Sequence, residues 1–256
     1  MSLSRPTRVP ITLLTIAACL TLIPTLAAQS VDATSLVSQM SLAFSKGIPI
    51  TGAQLTGTAT WHAGSTQDSG PVTLTASASG AATMSISLAK KGNWSESQTQ
   101  FGSGMACQWT GRDAVAHEGD MMNCLRPVVW FLPSISLQAS SISPGLGVED
   151  LGAATVNGAT SHKLQAQAVL AGIPNRLLSD SVTASTTEVD LDPNTLLPTT
   201  LRYSIHPDDG SAANVPIEVR FSDYQKAGGA VLPFHIQRFV NGSLQLDIQV
   251  SSAQIS

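Results

Sequence analysis

Apolar and polar residues alternate with a period of two along much of the chain. In Leu201-Arg202-Tyr203-Ser204-Ile205 the apolar residues fall on one side of an extended backbone and Arg202 and Ser204 on the other. The same alternation runs through Ile217-Glu218-Val219-Arg220-Phe221 and Leu244-Gln245-Leu246-Asp247-Ile248-Gln249-Val250. Upstream it recurs at Val72-Thr73-Leu74-Thr75-Ala76 and Met84-Ser85-Ile86-Ser87-Leu88. Turn formers separate the runs. Pro193 presets φ in Asp192-Pro193-Asn194-Thr195, where Asp192 and Asn194 can bond back to the local backbone. Ser79-Gly80, Gly228-Gly229 and Asn241-Gly242 stand where positive φ is wanted. The pattern predicts a mainly β protein, a long antiparallel meander with one dry face.

One segment breaks the period. From about Asp32 to Lys46 the residues Ala33, Leu36, Val37, Met40 and Phe44 recur at helical spacing with serines opposite. Ser30 or Asp32 can cap the start, and Lys46, Gly47 and Pro49 mark the end. A helix of this length is marginal alone in water, and a one-sided sheet needs filling, so each supplies what the other lacks. The expected architecture is an unclosed β-barrel wrapped around this N-terminal amphipathic helix.

Residues 1–28 read as a secretory leader: Arg5 and Arg8, then an apolar run interrupted only by threonine, proline and cysteine, then polar Gln29-Ser30. Cleavage after Ala27 or Ala28 suits the small-residue rule, with Leu26 at the third position back disfavouring Ala28. A second reading takes Ile16-Ala17-Ala18-Cys19 as a lipobox that leaves Cys19 acylated, although the residues after Cys19 stay apolar. Pro10 and Pro24 bracket a run short of the roughly 20 residues a membrane helix needs. The expected location is periplasmic or secreted, or membrane-anchored if Cys19 carries lipid.

Without Arg5 and Arg8 the 13 basic residues fall to 11 against 17 acidic ones, a net charge of −6. No basic stripe is present, which argues against nucleic acid as a partner. Cys107 and Cys124 remain beyond the leader, an even count that points to a disulfide in an exported chain, with two buried free thiols as the alternative. Closing that loop is worth about 3 kcal/mol. Catalysis finds little support. No Gly-x-Ser-x-Gly stands on a strand-to-helix turn, and Gly102-Ser103-Gly104 lacks the spacing. His62, His117, His162, His206 and His235 have no partner at a recognised ligand spacing, so no metal or cofactor is expected. Glu188, Asp190 and Asp192 alternate on one strand face, read as solvated rather than as a Ca²⁺ site. Trp130-Phe131-Leu132-Pro133 is read as a core-packing turn, with a lid over a barrel mouth as the alternative. Asn241-Gly242-Ser243 matches a glycosylation sequon, as does Asn93-Trp94-Ser95, but is better explained as a type I′ turn.

The order of leader, amphipathic helix and meander resembles the LolA/LolB-like superfamily of periplasmic lipoprotein carriers and related envelope lipid-binding proteins. The likeness is carried by residues 150–256: "VNGATSHKLQAQAV", "VDLDPNTLLPTTLRYSI" and "VRFSDYQKAGGAVLPFHIQRFVNGSLQLDIQVSSAQIS". It implies a half-barrel domain over residues 29–256 that encloses an apolar cavity for acyl chains and performs no catalytic step. Two departures stand out. In the lipoprotein carrier an arginine from the early strands and several aromatics line the cavity, whereas "LTGTATWHAG" and "PVTLTASASGAATMSISLA" supply only Trp61. The cysteine-containing stretch at about 101–136 is an insertion relative to that pattern. The expected activity is binding of a lipid, acyl chain or lipoprotein on the concave face, assigned to Leu201, Tyr203, Ile205, Ile217, Val219, Phe221, Leu246 and Ile248. Membrane contact is then transient. The alternative is a structural or protein-interaction module of the envelope with a filled core, and an envelope enzyme is a third class.

Overall fold

The computed structural model describes residues 32–99, 106–140, 145–156, 158–169, 184–207 and 214–256. The leader, Cys19, Gly102-Ser103-Gly104 and Asn157 of "VNGATSHKLQAQAV" lie outside the described residues. After α1 (Ala33–Ser45) the chain runs through β1 (Gly52–Ala63), β2 (Thr66–Ser77), β3 (Ala82–Leu88), β4 (Gly92–Gln98), β5 (Cys107–Thr110) and β6 (Ala116–Glu118). Two short helices follow, α2 (Met121–Cys124) and α3 (Pro133–Ser140). The chain then continues through β7 (Leu146–Val156), β8 (Ala159–Ala168), β9 (Thr187–Leu191), β10 (Pro198–Ile205), β11 (Val215–Ala227), β12 (Ala230–Val240) and β13 (Ser243–Ile255).

All thirteen strands form one sheet in the order β6-β5-β4-β3-β2-β1-β13-β12-β11-β10-β9-β8-β7. Sequence neighbours pair antiparallel except β6 and β7, and β13 pairs with β1 to join the two halves. The sheet is therefore not closed, and its two edges are consecutive in the chain. What connects them crosses the concave side. Val128, Val129, Trp130, Phe131 and Leu132 belong to the core. Pro133 through Ala139 of α3 are buried as well. Trp130-Phe131-Leu132-Pro133 thus packs inside, and the stretch around the cysteines extends the sheet through β5 and β6.

Period-two burial matches the pattern in the sequence. Met84, Ile86 and Leu88 of β3 alternate with exposed serines, and Ile217, Val219 and Phe221 of β11 face inward. At the β1 bulge Gly57 leaves no space for a side chain: an added Cβ would lie 2.1 Å from the Gln249 carbonyl oxygen. Asn241 and Gly242 take φ of 49° and 77°, the type I′ geometry that a two-residue hairpin requires. Asp192 Oδ1 accepts from the Asn194 and Thr195 amides at 3.0 and 2.8 Å, closing the turn between β9 and β10.

Helix α1 buries Leu36, Val37, Met40 and Phe44, the stripe its periodicity predicts. Asp32 occupies the N-cap position without a side-chain cap bond, and Lys46 takes the left-handed conformation at φ 56°. This helix is the expected filling of the sheet, but it shares the concave face with α3. Gln138 joins the two. Its Nε2 donates to Ser41 Oγ at 2.7 Å, Ser45 Oγ at 2.8 Å and the Ile48 carbonyl at 3.0 Å. Its Oε1 accepts from the Ile50 amide at 3.0 Å. A buried amide satisfied on both ends fixes one helix register against the other.

The acidic face of β9 is a correction to the sequence reading. Asp190 is fully buried rather than solvated, because Arg202 and Lys163 on the flanking strands β10 and β8 lie over it. Arg202 Nη1 and Nη2 both donate to Asp190 Oδ2 at 2.5 Å, and Lys163 Nζ donates to Glu188 at 2.8 Å. Burial pushes the Asp190 carboxyl above its ordinary value, more than Arg202 and Lys163 pull it down.

Phe44→Ala removes a side chain that is 1% exposed, and we expect it to cost about 3–5 kcal/mol in urea unfolding. Leu42→Ala, on the exposed face of the same helix, should change stability by less than about 0.5 kcal/mol. Equal effects of the two would remove α1 from the core.

Candidate functional site

The helices cover the concave face incompletely. At the end of the sheet bearing β4, β5 and the last residues of β10 and β12 there remains a cavity of about 420 Å³. Met84, Trp130, Phe131, Ile205 and Ile217 give it apolar walls. Trp61, Trp94 and Trp109 come from three different strands and form a ladder: Trp61 tilts on Trp94 at 5.3 Å, and Trp94 stacks on Trp109 at 5.4 Å. His117 continues the stack on Trp109 at 4.2 Å.

The strand registers place polar groups among these walls. Glu96 pairs with inward-facing Met84 and Gln98 with Ala82, so both point to the concave side. Arg238 lies opposite Leu246 and Val219, two core residues, and shares their face. Its Nη1 and Nη2 donate to the two Glu96 oxygens at 2.8 and 3.0 Å, and its Nε donates to Gln245 at 3.1 Å. The guanidinium also sits 4.8 Å from the Trp130 ring centre. Trp94 Nε1 donates to Glu96 at 3.2 Å. Burial raises the Glu96 carboxyl, but the facing Arg238 outweighs it and the net direction is downward. Burial likewise works against the Arg238 charge, and Glu96 more than offsets it. This pair closes on itself.

Arg126 does not. It follows α2 and reaches the cavity with its guanidinium 4.3 Å from the Tyr203 ring centre. Its Nη1 is buried and has no hydrogen-bond partner. Burial pushes its charge toward loss, against the favourable pull of Tyr203 and Glu96. Three ties hold it in place. The Cys107–Cys124 disulfide, with Cα atoms 5.2 Å apart, fastens α2 to β5. Asn123 exchanges two bonds with the His206 backbone at 2.7 and 2.8 Å. Gln98 Nε2 donates to the Arg126 carbonyl at 2.5 Å.

Of the eight residues assigned from sequence, Tyr203, Ile205 and Ile217 line this cavity. Leu201, Val219, Phe221, Leu246 and Ile248 lie in the closed core beside them, none more than 5% exposed. Glu96, Arg126, Arg238, Trp94 and Trp109 were not singled out. Arg238 had a legible signal, since it occupies the inward parity of an otherwise apolar strand with Leu232, Ile236 and Val240. Arg126 had none, because its position depends on the path of α2. The histidines have ordinary partners: His117 with Asp113 at 2.8 Å, His162 with Asp150 at 2.7 Å and His235 with Asp247 at 3.0 Å. Among the described residues no three His, Cys, Asp or Glu side chains gather as a metal site. Among them, too, no helix is long and apolar enough to cross a membrane.

The architecture defines a class. Solved structures with the same fold include a domain from Vibrio parahaemolyticus assigned to outer membrane lipoprotein sorting, 7% identical, with 88% of this chain and 92% of that one covered at a TM-score of 0.53. A DUF1329 family protein from Desulfovibrio piger is 11% identical over 88% and 92% at a TM-score of 0.53. A LolA superfamily protein from Nitrosomonas europaea is 9% identical over 88% and 94% at 0.51. The chain has a LolA-like fold, an open half-barrel over helices. No family model and no curated protein matches its sequence.

The Glu96 carboxyl ionises more readily folded than unfolded, so its contribution to stability is complete above its ordinary value of 4.5 and is lost as pH falls through the lower folded value. Glu96→Gln should cost about 3 kcal/mol at pH 7 by leaving Arg238 buried without its counter-charge. The gap between variant and wild type should narrow in unfolding experiments as the pH drops below 4.5. Reducing the 17-residue disulfide loop should cost about 3 kcal/mol, measured by melting with and without reductant after peptide mapping of the linked pair.

Proposed function

We propose that this chain is an exported, non-enzymatic protein of the cell envelope that holds a lipid, an acyl chain or the lipid part of a lipoprotein between its sheet and its helices. The observation that carries this is the cavity of about 420 Å³ walled by Met84, Trp130, Phe131, Ile205, Ile217 and the tryptophan ladder. That size lies within the roughly 300–1,000 Å³ of ligand sites, and the mix of apolar walls with a few convergent polar groups is what such sites share. A fold in common with a lipoprotein-sorting domain supports the reading. So does the leader-like start of the sequence, from which residues 29–256 would emerge as one half-barrel domain. The apolar ligand is the partner; a nucleic acid is not, and the membrane would be touched only in passing unless Cys19 is lipidated.

The interaction-module reading keeps one specific support. Five of the eight concave residues assigned from sequence are already covered by protein, so α1 and α3 fill most of the face. The ligand of our reading occupies only the uncovered end.

Ile205→Trp places an indole in the cavity at a half-buried position, and we expect it to weaken binding of a fluorescent fatty acid at least tenfold while the fold persists. Val219→Glu, by contrast, buries a charge at a fully buried position and should unfold the protein. Delipidated wild type that binds no fatty acid saturably, together with native mass spectra free of lipid, would establish the filled module instead.

A further inference from the structure

We propose that the cavity selects an amphiphile with a single anionic head group, a carboxylate or a phosphodiester, and that Arg126 is the residue that receives it. The inference rests on the binding role proposed for this cavity and adds the class of ligand.

Charge balance is the first observation. Three charged side chains, one negative and two positive, meet at the polar end: Glu96, Arg126 and Arg238. Glu96 is fully engaged, with both oxygens taken by Arg238 and one of them also by Trp94. One positive charge is left over, and it belongs to Arg126. The second observation is the orphan donor. Arg126 Nη1 is shut off from solvent, has no acceptor and belongs to a side chain that lines the cavity. A buried guanidinium nitrogen without an acceptor is costly, and native proteins retain such groups where something else satisfies them. The third observation is that the position is built. The disulfide, the Asn123–His206 pair and the Gln98 bond all converge on the few residues around Arg126.

The geometry also limits the head group. Arg238 cannot turn to a second anion without breaking three hydrogen bonds, so the cavity offers one free guanidinium and matches one negative charge. A planar fork suits the paired oxygens of a carboxylate or phosphodiester. The apolar walls of Ile205, Ile217, Trp130 and Phe131 take the chain behind it.

The experiment uses delipidated protein spanning residues 29–256 and two matched ligand pairs in competition with a fluorescent apolar probe. Palmitate is compared with hexadecanol, and palmitoyl lysophosphatidylglycerol with monopalmitin. Expected is a preference of at least tenfold for the anion in one pair or both, and the pair that shows it names the head group. Arg126→Gln should abolish that preference, bringing each anion to the affinity of its neutral partner. The variant gives up the guanidinium's contact with the Tyr203 ring and relieves the unpartnered buried Nη1, so its melting temperature should stay close to that of wild type.

Equal affinity for anion and neutral partner in wild type overturns the inference and leaves the apolar binding role standing. If none of the four ligands binds, both fall. A preference that survives Arg126→Gln overturns the assignment to Arg126. Should that variant fail to fold, the wild-type comparison still decides the ligand class, and Arg126→Met, which keeps an apolar stem without the charge, takes its place: a lost preference supports the assignment and a retained one overturns it.

Discussion

A sheet with one apolar face and two open edges must be covered, and most of this structure follows from that requirement. In nine neighbouring strands, from β3 across β1 and β13 to β8, inward apolar residues alternate with outward polar ones, so the inner surface is apolar along that whole run. A single thirteen-residue helix cannot mask it. The chain covers the face twice, first with α1 as it enters and again with the segment from Val128 to Ser140 as it passes from one edge strand to the other. Gln138 makes these two passes into one layer, since its amide satisfies hydroxyls and backbone groups of the first from a position on the second. The cover is thus a property of topology. A chain whose sheet edges are consecutive has to bridge them, and bridging through the concave side buries apolar surface that would otherwise face water.

The cover stops short at the β4–β5 end, and polar residues take over there. A cavity of this kind in a wholly apolar wall would be dry and indifferent to the chemistry of its guest. Glu96 and Arg238 change that, because an ion pair held by two charge-assisted bonds fixes both side chains at the margin of the core. The pair is neutral as a unit. Glu96 favours the Arg126 charge and Arg238 opposes it, so the Arg126 charge remains the unbalanced one. The same arrangement appears in a different form on the outer face, where Asp190 is buried under Arg202 and Lys163. That cluster adds a fourth member, Glu188, so two carboxylates face two cations and the charges balance. The cavity cluster has three members and a surplus.

Period-two alternation made the meander and its turns legible, because a strand with one wet face repeats its solvation at every second residue. The α1 stripe was legible for the same reason at period 3.6. Elements buried on all sides were harder. Helix α3 has no wet face, so "VVWFLPSISLQAS" lacks periodicity and reads only as an apolar run, although Pro133 stands at its first helical position where proline is favoured. Asp190 misled for a related reason. Its position on the outward face is correct, but two long cationic side chains from neighbouring strands seal it, and no local pattern registers a neighbour brought by pairing. The tryptophan ladder is likewise non-local: Trp94 and Trp109 meet through the pairing of β4 with β5, where Trp109 lies opposite Glu96, and Trp61 of β1 reaches Trp94 across two intervening strands.

Discrimination in such a cavity has to come from its polar end. Apolar contact is nondirectional and worth about 0.8 kcal/mol for each buried methylene, so the walls reward chain length and say little about what the chain is attached to. A hydrogen bond to a charged group adds about 1.5–3 kcal/mol, and the penalty for leaving such a group unmatched makes the difference between head groups larger than the bond alone. Directional selectivity also needs a rigid donor, and the flexible arginine side chain becomes one only when its surroundings restrict it. Here the Tyr203 ring packs against the guanidinium, and the backbone behind it is held by a covalent bridge two residues upstream. The cysteines are therefore coupled to the cavity through Arg126. Reducing them frees α2 from β5, and the selectivity of the polar end should decline before the apolar walls, anchored in the core, lose their shape.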